Sequence, residues 1–322
     1  MLRRFPAIRP YAMHTLSVQQ PYTIYFEESG SPEGIPVLVV HGGPGAGSNP
    51  DQRRYFDPNI YRIILFDQRG CGKSIPLGNI KNNNTQALID DMEAIRTYLN
   101  IDQWVLFGAS WGATLSLLYA QTYPAKVRGL ILRSVLLANE KDRRWFFEPG
   151  GASRIYPSYW DDFVGILPPN KRKNLLSAYY ELLNDDNELV RMKAAKAWSL
   201  WHRRCATVNP LPITSVYDIG TMRLSRLECY YFINGCFIKE NQIANNMSSI
   251  KHLPGIIVHG RYDMITPVDN SYLLQRSWSR AELDIVRDAG HASKDIALID
   301  AMVKAAEKMA KLVGGCLRPN SA

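Results

Sequence analysis

The stretch Trp104-Val-Leu-Phe-Gly-Ala-Ser-Trp-Gly112 decides the fold of this 322-residue chain. Its first four residues are an apolar run typical of a buried strand, and the residues from Thr114 to Tyr123 are spaced as in a buried helix. Between the two stands a Gly-x-Ser-x-Gly sequence centred on Ser110, whose glycines leave room for a very tight turn. A strand, a sharp turn and a helix in this order predict a nucleophile elbow, which exposes the serine hydroxyl.

An activated serine needs a histidine base, and the histidine needs a carboxylate to orient it. The chain has six histidines to choose from: His14, His41, His202, His252, His259 and His291. His291 follows the strand-like run 283–286, and Asp263 follows the apolar run 255–258. Both positions lie where parallel strands end, which is the edge that carries the chemistry in open α/β sheets. Asp269 is a nearby alternative acid, set further back from the strand end.

The chain order serine, aspartate, histidine is typical of the α/β-hydrolase fold. A third component of such sites is an oxyanion hole, and His41-Gly-Gly-Pro-Gly45 follows another apolar run with the expected glycines. Pro44 has no N–H, so the donor is Gly42 or Gly43, of which we favour Gly43. The second donor is expected to be the backbone N–H of Trp111. A phosphate-binding loop is disfavoured because no Lys-Ser or Lys-Thr pair follows at the required spacing.

Six short stretches along the chain carry a more specific pattern. They are His41–Gly47, Phe66–Ser74, Phe107–Gly112, Gly150–Ser153, Ala194–Trp198 and Val258–Asp263. With them the chain resembles the proline iminopeptidases of the α/β-hydrolase fold over nearly its whole length. The resemblance implies a serine aminopeptidase that releases an N-terminal proline through an acyl-enzyme at Ser110, with Asp263 and His291 completing the triad.

Family resemblance also points to two acidic residues that bind the substrate amine. One corresponds to Glu228, which stands among apolar and aromatic neighbours and therefore needs either a ligand or a basic partner such as Arg223 or Arg226. The second is replaced by His202. A neutral imidazole can accept a hydrogen bond from an ammonium group, whereas an imidazolium would repel it. His202 therefore predicts weak activity that falls further as the pH drops through the histidine range.

The proline-binding wall also departs from the family pattern. Leu136 stands where the family has phenylalanine, and Phe147 where it has tyrosine. Together with Phe146, Phe147 and the Trp111 ring, the chain still offers an apolar wall suited to a pyrrolidine ring. Two other functions stay open: an esterase or amidase for small uncharged substrates, and a non-catalytic ligand-binding protein of the same fold.

Composition and charge argue against a disordered chain and against a nucleic-acid-binding protein. The hydrophobic fraction of 46% is ample for a core, and the net charge of +8 comes from dispersed basic pairs without a nucleic-acid-binding motif. No leader-like or membrane-spanning run is apparent, so we expect neither secretion nor a membrane partner. The cysteines are odd in number and scattered: Cys71, Cys205, Cys229, Cys236 and Cys316. Free thiols and a cytoplasmic location are therefore expected. No metal or cofactor is expected, and the family resemblance implies small peptides with an N-terminal proline as partners. The sequence does not indicate an oligomeric state.

Alternating strand and helix patterns predict β-α-β winding from about residue 20 to residue 135. The strand pattern then stops near Leu136 and returns near Pro254. The fold class is therefore α/β, with a mostly parallel sheet flanked by helices and an inserted all-helical cap. We assign residues 1–135 and 251–322 to the core and residues 136–250 to the cap. Within the cap, helices are expected at about 170–184, 186–205 and 223–234.

Overall fold

A computed structural model of the chain describes residues 4–208 and 219–314. Their eight strands form a single sheet in the order β1-β2-β4-β3-β5-β6-β7-β8. The strands are β1 (Ala12–Ser17), β2 (Thr23–Gly30), β3 (Ile35–Val40), β4 (Tyr61–Phe66), β5 (Trp104–Ala109), β6 (Val127–Arg133), β7 (Gly255–Gly260) and β8 (Ala281–Val286). The fold class predicted from the sequence is confirmed.

The sheet is parallel except at its N-terminal edge. There β2 pairs antiparallel with both β1 and β4, and all other neighbours are parallel. The expected β-α-β winding from residue 20 is therefore wrong for the first three strands, which follow one another without an intervening α-helix. Between β3 and β4 only a 3₁₀ turn, Pro50–Tyr55, is present. β1 and β2 form an antiparallel pair, which a short turn can join. β3 and β4 form a parallel pair connected through the 3₁₀ turn, and α-helical crossovers begin only after β4.

Eleven α-helices complete the described part of the chain. They are α1 (Thr85–Tyr98), α2 (Trp111–Thr122), α3 (Glu140–Phe147), α4 (Ala152–Ile155), α5 (Pro157–Gly165), α6 (Leu175–Leu183), α7 (Glu188–Ala206), α8 (Ile219–Ile233), α9 (Gln242–Asn245), α10 (Asp269–Arg276) and α11 (Ile296–Gly314). Helices α1 and α2 pack on one face of the sheet and α11 packs on the other. This arrangement buries the apolar side chains of both sheet faces.

The described residues between β6 and β7 form helices and turns and no strand. The predicted helix at 170–184 starts later than expected, at Leu175, because Asn174 caps it by accepting a hydrogen bond from the Ser177 N–H at 3.2 Å. Helices α3, α4 and α5 were missed. The segment has its own aromatic core around Phe163 and Trp198, separate from the two clusters on the sheet. The division into a core and a cap at residues 136 and 250 stays a prediction.

Two further expectations concern the cysteines and membrane-spanning helices. Within the described ranges four cysteines are free and buried: Cys71, Cys205, Cys229 and Cys236. Cys316 lies outside the described residues. Across residues 4–208 and 219–314, no helix combines the length and the apolar character needed to cross a membrane.

Candidate active site

Ser110 lies at a sharp turn between the last residue of β5 and the first residue of α2. Its φ of 57° and ψ of −122° are rare for a residue with a side chain, and such strain persists only where the surroundings enforce it. The turn is tight because a Cβ on Gly108 would stand 2.3 Å from the Gly112 carbonyl oxygen, and one on Gly112 would stand 2.0 Å from the Val40 carbonyl oxygen. The Ser110 N–H donates to the Arg133 carbonyl at 2.9 Å, which anchors the turn to β6.

Asp263 and His291 meet at the ends of β7 and β8. The Asp263 Oδ2 lies 2.8 Å from the His291 Nδ1, and the Asp263 carboxylate is fully buried. It also accepts hydrogen bonds from the Ile265 N–H, the Thr266 N–H and the Thr266 hydroxyl, at 2.9 to 3.0 Å. Burial alone opposes its ionisation, but His291 and these donors outweigh it and hold the pKa of Asp263 below its ordinary value. Asp263 is thus positioned to orient an imidazole.

The alternative acid, Asp269, lies elsewhere. It is half exposed on α10 and forms an ion pair with Lys141. His259, one of the six histidines considered from the sequence and given no role there, lies 3.5 Å from the Asp263 carboxylate. Its Nε2 contacts the Thr266 carbonyl at 2.8 Å, its Nδ1 contacts the Ser271 hydroxyl at 2.6 Å, and burial lowers its pKa. The signal was present, because His259 belongs to the family stretch 258–263.

The glycine loop after β3 lies beside the elbow. Gly42 and Gly43 line the same cavity as Ser110. Gly43 has a φ of +114°, a conformation that residues with a side chain rarely adopt. Trp111 is the first residue of α2, so its N–H has no acceptor within the helix. Both predicted oxyanion donors are therefore close to Ser110 in the fold, and their roles remain predictions.

Gln68 connects this loop to the elbow. Its N–H donates to the His41 Nε2 at 3.0 Å, and its side-chain amide donates to the His41 carbonyl at 2.9 Å. The Trp111 indole N–H donates to the Gln68 Oε1 at 3.0 Å. The expectation that the Trp111 ring lines the proline pocket is wrong, because the ring is buried against Tyr231, with centroids 5.1 Å apart.

Glu228 and His202 face the same cavity from α8 and α7. The Glu228 Oε2 accepts a hydrogen bond from the Trp198 indole at 2.7 Å and lies 3.6 Å from the His202 Nε2. The His202 Nε2 is buried without a hydrogen-bond partner in the described structure. Burial raises the pKa of Glu228 to about 8, whereas burial and the nearby His291 lower that of His202 to about 3.

Two expectations about His202 and Glu228 are corrected here. His202 does not titrate in the ordinary histidine range, so the predicted loss of activity through its protonation is not expected there. Within the described residues, neither Arg223 nor Arg226 forms the expected ion pair with Glu228. Arg226 donates instead to the Asn184 side-chain oxygen at 2.7 Å and to the Gly78 carbonyl at 3.3 Å. Glu228 is therefore a buried acid with no arginine to neutralise it.

The predicted apolar residues Leu136, Phe146 and Phe147 line this cavity, which has a volume of about 540 Å³. The Phe146 ring lies edge-on to His202 with centroids 4.7 Å apart, and Phe147 stacks on Trp198 at 5.0 Å. The cavity thus joins Ser110, an apolar wall and a buried acid. In the part of the chain that the structure describes, no group of three or more His, Cys, Asp or Glu side chains could hold a metal ion.

Comparison with known proteins agrees with this geometry. Residues 35–296 match the family model described as alpha/beta hydrolase fold. Two solved esterases share the fold. One from Exiguobacterium antarcticum is 19% identical with a TM-score of 0.55, covering 93% of this chain and 98% of its own. One from Rhodococcus sp. ECU1013 is 15% identical with a TM-score of 0.57, covering 95% of this chain and 100% of its own.

Several proteins are more similar to this chain in sequence than these two esterases are. A proline iminopeptidase of Neisseria meningitidis serogroup B is 43% identical, over 93% of this chain and 96% of its own. One of Arabidopsis thaliana is 42% identical, over 96% of this chain and 83% of its own. One of Xylella fastidiosa strain Temecula1 is 40% identical, over 94% of this chain and 98% of its own. With identities this high over nearly the whole length, the chain belongs to the proline iminopeptidase family of α/β hydrolases.

Proposed function

We propose that this protein is a serine aminopeptidase that releases N-terminal proline from short peptides. The observation that carries the proposal is the 2.8 Å contact between Asp263 and His291 in a cavity shared by Ser110 and the buried acid Glu228. A nucleophile, an oriented base and an acceptor for an amine are the three groups that an aminopeptidase of this type requires.

In the proposed reaction, the His291 Nε2 accepts the Ser110 hydroxyl proton while Oγ attacks the proline carbonyl carbon. The N–H groups of Trp111 and Gly43 stabilise the negative charge on the carbonyl oxygen. His291 then gives its proton to the departing amine, which leaves a prolyl ester on Ser110. Water, deprotonated by His291, hydrolyses this ester, and proline and free enzyme are released. Asp263 holds the imidazole in the required orientation throughout.

The substrate's proline ring packs against Leu136, Phe146 and Phe147 in this proposal. The secondary ammonium of an N-terminal proline has two N–H groups and so needs two acceptors. Glu228 supplies a carboxylate, and the unpartnered Nε2 of neutral His202 supplies a lone pair. A bound ammonium also favours ionised Glu228, because a neighbouring cation lowers the pKa of a carboxyl group.

A second function is favoured by one observation. The Glu228 side chain and the His202 Nε2 are both buried, and burial opposes the charged form of each group by raising the pKa of Glu228 and lowering that of His202. An uncharged site would also suit an esterase or amidase acting on neutral substrates. The sequence-based expectation of a cytoplasmic protein with free thiols remains a proposal as well.

A panel of arylamides separates the two functions. We expect kcat/KM for proline p-nitroanilide to exceed that for N-acetylproline p-nitroanilide by at least about 10-fold, because acetylation removes the charged amine that Glu228 would bind. Alanine p-nitroanilide tests the preference for the ring, and p-nitrophenyl acetate tests general esterase activity. Rapid acetate ester cleavage together with equal rates on the two proline anilides would favour the esterase and overturn the aminopeptidase.

A further inference from the structure

Part of the lining of the catalytic cavity comes from outside residues 136–250, the predicted cap, and we call it the second part of the cavity. It is lined by Asn49, Gln52, Tyr55, Phe107, Arg133 and Ser293. These residues come from the 3₁₀ turn after β3, from the sheet and from the loop that carries His291. In the proposed reaction the proline ring and its amine lie toward the cap. The departing amine and the rest of the peptide therefore extend toward this second part.

Arg133 is the ionisable side chain at the centre of this region. It ends β6 directly beside Ala109, the residue before the nucleophile. Because alternate residues of a strand point to the same face, its side chain follows that of Ile131, toward Phe107 and Tyr55. The guanidinium donates a hydrogen bond to the His291 carbonyl.

The guanidinium has no ion-pair partner within the described residues. Arg133 is 9% exposed, and the salt bridges of residues 4–208 and 219–314 do not include it. Asp263 is the acid close by, but its carboxylate is already engaged by His291 and Thr266. A buried cation without a carboxylate is costly, and arginines are rarely buried unless paired.

Two carboxylates, those of Asp263 and Asp295, act electrostatically on the Arg133 guanidinium without forming an ion pair with it. Asp295 accepts a hydrogen bond from the Gly290 N–H at 3.0 Å and forms no ion pair with Arg133. Arg4 adds a second cation next to the cavity, since it donates to the Ser293 carbonyl at 2.9 Å and contacts the Tyr55 hydroxyl at 3.4 Å. The charge of Arg4 is balanced by Asp51, 2.9 Å away, whereas Arg133 lines the cavity and forms no ion pair within the described residues.

Building on the proposed function, we propose that Arg133 binds the C-terminal carboxylate of a dipeptide substrate. In a dipeptide Pro-Xaa this carboxylate lies one residue beyond the scissile bond, on the leaving-group side of Ser110. A guanidinium recognises a carboxylate through paired, charge-assisted hydrogen bonds. In a longer peptide the same position holds a neutral amide carbonyl. The enzyme therefore selects prolyl dipeptides with a free carboxylate over their amides and over longer peptides.

The wild-type enzyme gives the first test. We expect kcat/KM for Pro-Ala to exceed that for Pro-Ala-NH₂ by at least about 10-fold, with Pro-Ala-Ala nearer to the amide. Equal values for Pro-Ala and Pro-Ala-NH₂ would overturn the inference. Proline p-nitroanilide, which has no carboxylate, reports separately on the proposed function, so the failure of one proposal is distinguishable from the failure of the other.

Variants of Arg133 test whether this residue causes the preference for a free carboxylate. Because Arg133 also contacts the His291 loop, Arg133→Gln is expected to slow all substrates and, in addition, to reduce the Pro-Ala to Pro-Ala-NH₂ ratio to nearly 1. Arg133→Lys, which keeps the charge, should retain part of the ratio. Lys294→Gln is the matched control, since it removes an exposed cation from the same loop and should leave the ratio unchanged. An Arg133→Gln enzyme that is slower but keeps the wild-type ratio would show a positioning role only and contradict the proposal.

Discussion

Glu228 is a carboxyl group whose protonation state depends on whether a substrate is present. It is buried, accepts one hydrogen bond from Trp198 and has its pKa raised by burial to about 8. An ammonium at hydrogen-bond distance would lower that pKa, so substrate binding and ionisation of Glu228 are coupled. In the proposed function Glu228 is the single acid of the amine site, because the resemblance implies that His202 replaces the family's second glutamate.

Replacing Glu228 by glutamine tests this role directly. Glu228→Gln keeps the shape of the side chain but removes its charge, and charge-assisted hydrogen bonds contribute about 1.5–3 kcal/mol. We expect kcat/KM for proline p-nitroanilide to fall by about 10- to 150-fold, measured beside p-nitrophenyl acetate as a substrate without an amine. Equal losses on both substrates would mark Glu228 as a structural residue.

The histidine at position 202 gives a gain-of-function test. In His202→Glu the ammonium would meet two carboxylates, as the family resemblance implies. We expect the KM for proline p-nitroanilide to fall by roughly 10-fold, the value of one charge-assisted hydrogen bond, with little change in kcat. The ester serves again as the control. If the preference for the amine over the ester is unchanged, residue 202 does not contact the substrate amine.

At the scale of elements, hydrogen bonds connect the two loops that follow β3 and β4, next to the predicted oxyanion donors. The Asp67 carboxylate accepts hydrogen bonds from the Ser48 N–H at 2.6 Å and the Lys73 N–H at 2.8 Å, so it joins the glycine loop to the loop after β4. Gln68 joins the same two loops to Trp111. The family stretch 66–74 thus acts as a brace for the residues around Ser110, which the sequence alone did not reveal.

Loss of the Gln68 side chain should affect catalysis more than binding. Gln68→Leu removes its two side-chain hydrogen bonds and leaves buried polar groups of His41 and Trp111 unsatisfied. We expect kcat for proline p-nitroanilide to fall by about 10- to 100-fold with a smaller change in KM, as loss of an oxyanion contact would produce. Gln121→Leu is the control, because it removes a comparable hydrogen bond, to the Ile243 carbonyl, at the far end of α2. Equal effects of the two variants on kcat would contradict the bracing role.

Most elements could be predicted because buried strands have apolar runs, as at β3, β5 and β7. β1 was missed since it is an edge strand whose residues alternate between exposed and partly buried, without an apolar run. The proposed triad residues could be predicted from motifs at strand ends. The direction of the Trp111 ring and the cavity position of Arg133 could not, because tertiary packing determines them.

For the molecule as a whole, the proposed catalytic groups and the proposed amine site come from different parts of the chain. Ser110, Asp263 and His291 follow strands of the sheet, whereas Glu228 and His202 belong to helices between β6 and β7. A charge buried where these parts meet affects the stability of the fold as well as its activity.

The buried carboxyl of Glu228 makes folding depend on pH. Its pKa is about 8 in the folded protein against an ordinary value of 4.5, so between these pH values the folded state holds a proton that the unfolded state has lost. Stability contributed by this group is therefore lost as the pH rises through that window. We expect Glu228→Gln to be more stable than wild type at pH 8.5, by on the order of 1–3 kcal/mol, and equal to it near pH 5. Thermal unfolding at both pH values measures this, and a constant difference would contradict the burial effect.

The central claim is that Ser110 is the nucleophile of a prolyl aminopeptidase. The most direct measurement is the rate of proline p-nitroanilide hydrolysis by wild type and by Ser110→Ala, with circular dichroism spectra to verify that the variant is folded. We predict that wild type cleaves this substrate and that folded Ser110→Ala loses at least about 10⁴-fold in kcat, because the acyl-enzyme cannot form. Hydrolysis by the folded variant at a rate near that of wild type would contradict the account.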